Sequence, residues 1–190
     1  MESISMFKKS LLVMSLTAFI CVPALAADSQ GAGKITFKGQ VIDSPCSIAP
    51  GDEDLTVNLG EVATTVLNSG DKQSLAEDFT IHLQDCILTD AEGTATDKVK
   101  ITFTSSDDTS GTNLLKNTFE GNIGGATGVG VRLLDEQNQT IALNTALNIN
   151  FPDQNSYQEL NFKARMEAID GETATPGNLN AQVNYILDYK

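Results

Sequence analysis

A period of two, repeated in short runs, limits more than any other feature what this chain can fold into. Leu160, Phe162, Ala164, Met166 and Ala168 alternate with Asn161, Lys163, Arg165 and Glu167. Successive side chains of a strand point to opposite faces, so such a run builds a strand with one apolar and one charged face. The same alternation recurs at Phe79, Ile81 and Leu83, at Val99, Ile101 and Phe103, at Val129, Val131 and Leu133, and at Ala181, Val183, Tyr185, Leu187 and Tyr189. Shorter pieces fall at Leu55, Val57 and Leu59 and at Leu147, Ile149 and Phe151, while Ile141 and Leu143 read as the hairpin partner of residues 129–133. Residues 105–128, rich in Ser, Asp, Thr, Asn and Gly, read as a long irregular connection. Residues 61–68 have room for one or two helical turns, and no longer helical period occurs. About seven or eight short strands separated by turn residues predict an all-β sandwich of two antiparallel sheets, with a closed barrel as the alternative.

The earliest run stands apart. Gly31, Gly33, Ile35, Phe37, Gly39 and Val41 occupy one parity, and Lys34, Thr36, Lys38 and Gln40 the other. It follows a segment with the marks of an export signal: Lys8 and Lys9, an apolar run from Leu11 to Leu25, and the small-residue site Ala24-Leu25-Ala26. That run of about 15 residues is short for a membrane span, which needs roughly 20, so no direct membrane insertion is expected. Cys21 lies inside the signal, behind Phe19 and Ile20, which are too bulky for a lipoprotein box. Cleavage after Ala26 leaves a mature chain whose first residues form an arm able to become a strand.

Removing the first 26 of 190 residues leaves 164, enough for one domain with a real core. The net charge is −13 for the whole chain, and −14 once Glu2, Lys8 and Lys9 are gone. Such a surface repels phosphates and argues against nucleic acid or anionic membranes as ligands. Two cysteines remain, Cys46 and Cys86, in a compartment where thiols oxidise, so one intramolecular pairing is available. Closing a loop of about 40 residues contributes on the order of 4 kcal/mol in the chain-entropy account. Cys86 falls on the polar parity of its run. Either a bulge shifts the phase before it, or the disulfide lies beside the core.

The search for reactive constellations finds no catalytic, cofactor-binding or metal-ligating set. His82 is the sole histidine and sits mid-run on the polar parity, with no ligand spacing around it. Asp52-Glu53-Asp54 and Asp107-Asp108 read as solvated turn charges. Glycines 124, 125, 128 and 130 precede a strand instead of opening a helix, so a phosphate cradle is set aside. Asn138-Gln139-Thr140 fits a glycosylation sequon, a frequent chance match.

Several separated stretches, in order, carry a family likeness: GKITFKGQVIDSPCSI, VNLGEV, FTIHLQDC, ATGVGVRLLD, LNFKARM and ATPGNLNAQVNYILDYK. From about Gly31 to Lys190 the chain resembles the major, or shaft, subunits of chaperone-usher fimbriae of the type 1 and P pilus kind. The resemblance implies an immunoglobulin-like sandwich that lacks its final strand and is completed by donor-strand addition, a mode of β-strand addition known for pilins. It implies a signal peptide at 1–26, a donor arm at 27–38 and a pilin domain at 39–190. Gly31, Gly33, Ile35 and Phe37 match the donor strand, with Gly33 allowing close approach and Ile35 and Phe37 as apolar anchors. Ala181, Val183, Tyr185, Leu187 and Tyr189 match the strand that borders the groove and pairs with the chaperone, and the Lys190 carboxylate matches the chaperone anchor. The implied partners are a periplasmic chaperone, an outer-membrane usher, further copies of this chain and other fimbrial subunits. The implied function is a structural, non-enzymatic subunit of an adhesive extracellular fimbrium, exported through the periplasm to a Gram-negative cell surface. A minor tip or adaptor subunit, or a self-contained adhesive domain, is the alternative.

Overall fold

The computed structural model describes residues 33–89, 91–105 and 111–189. The signal segment, Gly31, the Asp107-Asp108 turn and Lys190 lie outside these residues. The chain divides into two units, Met1–Gln40 and Val41–Lys190. In the first, residues 33–40 are exposed throughout and belong to no ladder. The strand that their alternation predicts has no partner backbone, and a strand needs one.

Among the described residues, the second unit has eight strands: β1 (Ser47–Ile48), β2 (Glu77–Gln84), β3 (Lys98–Thr104), β4 (Leu114–Lys116), β5 (Val129–Asp135), β6 (Ala146–Asn150), β7 (Gln158–Ala168) and β8 (Asn184–Tyr189). A 3-10 turn spans Asp52–Asp54, and one short helix, α1, spans Thr64–Ser69. The strands form two sheets in the orders β1-β2-β7-β5-β4 and β6-β3-β8, and every pairing is antiparallel.

Register follows the alternation. Phe79 stands opposite Phe162, Ile81 opposite Leu160, and Leu133 opposite Ala164. In the second sheet Ile101 lies between Leu147 and Leu187. A slip by one residue would turn each of these side chains out to water, so burial pins the pairing. Ile81, Leu83, Val99 and Ile101 are fully enclosed, and Phe103 of β3 meets Phe162 of β7 edge to face at 5.1 Å, joining the sheets. A smaller cluster of Leu67, Ala126, Val129, Met166, Ala168 and Ala174 packs beneath α1.

Cys46 and Cys86 are bonded, and both are buried in the main core. Asp85 takes a left-handed φ of 54° immediately after β2, which shifts the phase and turns Cys86 inward. Of the two readings of its parity, the phase shift is therefore the one found.

Three expectations are corrected. Residues 55–59, expected as a strand, join no sheet. The long connection contains β4, which pairs with β5. The expected hairpin at Ile141 and Leu143 reduces to an isolated bridge between Leu134 and Thr140, followed by a bond from the Ile141 amide to Leu133. There the backbone is diverted: the Leu143 amide donates to Asn113 Oδ1 at 2.9 Å and the Asn144 amide to the Phe103 carbonyl at 2.7 Å.

Candidate functional site

A groove of about 1440 Å3 runs along the second unit between two segments, residues 53–63 and 175–185. Its floor is the inner face of the larger sheet, with Phe79, Leu115, Val131, Leu133, Ala164 and Met166. These are the apolar-parity residues of β2, β4, β5 and β7, so the pattern that builds the core also lines the groove. Its walls carry half-buried apolar side chains, among them Val57, Leu59, Leu179 and Val183.

The walls are also short of backbone partners. Among the described residues, the amides and carbonyls of 55–62 and 181–183 make no backbone hydrogen bond. β8 pairs with β3 on one side only, leaving its other edge free. Unpaired strand edges of this kind are templates for another strand.

Each end of the groove is tied. At one end Tyr185 Oη donates to the Asp52 carbonyl at 2.9 Å, linking β8 to the 3-10 turn. The Asp52 carboxylate, itself buried, lies 2.7 Å from His82 Nδ1 on β2. Burial and the neighbouring Asp52 and Glu53 push the Tyr185 phenol up to about 12, so it stays a neutral donor. Burial also raises the Tyr189 phenol, partly offset by a hydrogen bond with Ser44.

At the other end sits Asn117, 1% exposed. Its Nδ2 donates to the carbonyls of Ala126 (2.7 Å) and Asn178 (3.0 Å), and its Oδ1 accepts from the amides of Phe119 and Asn180 (both 3.0 Å). Asn68 of α1 adds a reciprocal clamp on Ala174, donating to its carbonyl at 2.9 Å and accepting from its amide at 2.8 Å. Gly128 turns at φ +67°, where a Cβ would lie 2.6 Å from the Thr173 carbonyl oxygen, so only glycine lets the two loops approach.

The residues singled out in the sequence fall into two places. Tyr185, Leu187 and Tyr189 lie on the inward parity of β8, half-buried against the core. Ala181 and Val183 precede that strand, in the unpaired wall, so the strand read as Ala181 to Tyr189 begins at Asn184. Gly33, Ile35 and Phe37 are exposed, Ile35 by 77% and Phe37 by 88%. A Cβ added at Gly33 would meet nothing within 4 Å, so no contact in its own chain calls for glycine there. Gly31 and Lys190 lie outside the described residues.

Asp52, Asn68 and Asn117 were not legible as site residues. Asp52 reads as solvated turn charge, yet it is 8% exposed and engages His82. Its position 30 residues from His82 offers no local signal.

A two-sheet β-sandwich with one apolar groove between unpaired edges defines an acceptor for an added strand, the architecture of pilins. The chain belongs to the fimbrial protein family, whose model matches residues 35–190. It is similar to the fimbrial-like protein YgiL of Escherichia coli K12, 58% identical over 187 residues that cover 98% of this chain and 100% of the relative. It is 36% identical over 171 residues to the major MR/P fimbria protein of Proteus mirabilis, covering 88% of this chain and 89% of the relative. A subunit of a chaperone-usher pilus solved to explain rod uncoiling shares the fold, with a TM-score of 0.70 at 24% identity over 85% of this chain and 97% of that one. The protein is a structural fimbrial subunit with the pilin fold.

Proposed function

We propose that this chain polymerises by donor-strand exchange. The segment 27–38 acts as the arm, and the domain 39–190 accepts the arm of a neighbouring copy in the groove between residues 53–63 and 175–185. The observation that carries this reading is the pair of unpaired backbone edges flanking an apolar floor. Fully extended, the twelve residues of the arm span roughly 40 Å and the wall from 55 to 62 at most about 26 Å, so the arm is long enough to run the length of the wall. Ile35 and Phe37, exposed in their own chain, each gain on the order of 2 kcal/mol by entering the groove. Gly33 gives the arm a place where another backbone approaches closely.

Before assembly the same groove requires a partner strand, which a periplasmic chaperone supplies by pairing with β8 near the Lys190 carboxylate. An outer-membrane usher then exchanges that strand for an arm. The signal at 1–26 and the fimbrial relatives support export to an extracellular fimbrium on a Gram-negative surface. Among the described residues, no helix is long and apolar enough to cross a membrane. The reading assigns the chain a structural role without an enzymatic one. Deleting residues 27–37 should leave a domain that folds with its disulfide and binds the chaperone but adds no further subunit. Electron microscopy of cells expressing only this deletion should show no fibre built from it; fibres of normal length would refute the proposal.

A further inference from the structure

The charges at the groove are one-sided. Of its lining residues, Glu53, Asp54 and Glu61 are the charged ones, and none is a lysine, arginine or histidine. All three are exposed and make no ion pair among the described residues. Glu53 and Asp54 belong to the exposed side of the 3-10 turn at one end of the wall, and along the wall itself Val57 and Leu59 are half-buried while Thr56 and Asn58 are exposed. At Gly60, φ is +67°, and beyond it Val62 is half-buried and Glu61 exposed. The acidic side chains therefore stand on the outer lip of the wall, at both of its ends.

The arm has the opposite character. Within residues 33–40 the charged side chains are Lys34 and Lys38, both exposed, in a chain whose net charge is −13. They share the parity opposite to Ile35 and Phe37. An arm that seats Ile35 and Phe37 on the apolar floor must therefore hold both lysines outward, roughly 13 Å apart, along the lip.

We infer that the acidic lip of the groove steers and selects the lysine-bearing face of the arm of a second copy of this chain. This rests on the strand-acceptor reading above and adds to it the source of selectivity. Two chains of net charge −14 once the signal is gone repel one another, so an acidic arm approaches against the field and a neutral one gains nothing from it. An arm whose outward face carries two lysines approaches an acidic lip with the field, and a match of this kind raises the rate of encounter more than the final affinity. The apolar anchors fix the arm once seated, whereas the lysines decide which arm arrives first.

The test uses the full chain and a fluorescent synthetic peptide of residues 31–43, with capture followed by fluorescence anisotropy at about 20 mM and 500 mM salt, concentrations that bracket the screening range. The expected result is that the peptide with Lys34→Glu and Lys38→Glu is captured about tenfold more slowly than the native peptide at low salt, and that the difference vanishes at high salt. A full chain carrying Glu53→Lys, Asp54→Lys and Glu61→Lys should reverse the preference and capture the reversed peptide faster. That exchange of preference also shows that the variant groove is folded. Equal capture rates for both peptides at low salt would overturn the inference while leaving the strand-acceptor reading intact. Capture of neither peptide at either salt would overturn that reading and the inference with it.

Discussion

Asn117 shows how much of the groove depends on single side chains. It is enclosed, and both of its side-chain donor positions and its acceptor oxygen are engaged, bridging the 117–126 loop to the wall at 178–180. Buried polar groups stabilise a fold only when satisfied, and removing this one strands the Ala126 carbonyl and the amides of Phe119 and Asn180, while the Asn178 carbonyl keeps the Ala126 amide. Asn117→Ala should lower unfolding stability by about 2–4 kcal/mol, read from urea denaturation, and should loosen the Asn178 to Asn180 wall before the sheets open. A loss under about 0.5 kcal/mol would mean that the wall is held by other contacts. Nothing local in the sequence separates Asn117 from Asn113 or Asn122, and nothing separates Asp52 from Glu53 and Asp54. Their roles come from backbone brought in from 61 to 63 residues away in the first case and from a histidine 30 residues away in the second.

Among the elements, β7 is the one most fully readable, because its alternation persists over 11 residues and its two neighbours between them pair along its whole length, β2 with 158–164 and β5 with 162–168. Its outer face poses an electrostatic problem: Arg165 stands directly opposite Arg132 of β5. Glu167 resolves it, bonding Arg132 Nη2 at 2.6 Å and Arg165 Nη2 at 2.8 Å. Burial opposes ionisation of Glu167, but the hydrogen bonds and charges of the two arginines outweigh it and hold the carboxyl below its ordinary range. A lowered carboxyl pKa contributes stability that is present above the unfolded value, and that stability is lost as pH falls through the folded one. Stability should therefore decline as pH falls below about 4, and Glu167→Gln should flatten that decline while costing about 1–2 kcal/mol at neutral pH. Parallel pH profiles for the two proteins would contradict this account. The elements misread are those whose backbone bonds leave the ladder. Residues 55–59 alternate as a strand does, but alternation reports which side chains face inward and not which backbone lies alongside. The short β4 escaped notice because its three residues, Leu114–Lys116, are too few to show a period.

On the scale of the whole molecule, the sandwich was legible from the repeated period of two and the disulfide from the two cysteines left beyond the signal. The groove was not legible from periodicity, because a wall awaiting a partner and a strand already paired carry the same alternation. The family resemblance implied a groove bordered by the strand from Ala181 to Tyr189; it did not mark residues 55–62 as the facing wall, which the unpaired backbone there identifies. On the proposed reading, the arm and the domain are two parts of a joint that closes between copies. Hydrogen exchange tests this most directly. With the full chain alone, the amides of 55–62 should exchange fast, while those of β2 and β7 exchange slowly. On addition of the peptide of residues 31–43, protection should rise at 55–62 and along the free edge of β8. Unchanged exchange at both edges, with the peptide bound elsewhere or not at all, would contradict the claim that the groove is an acceptor for the arm.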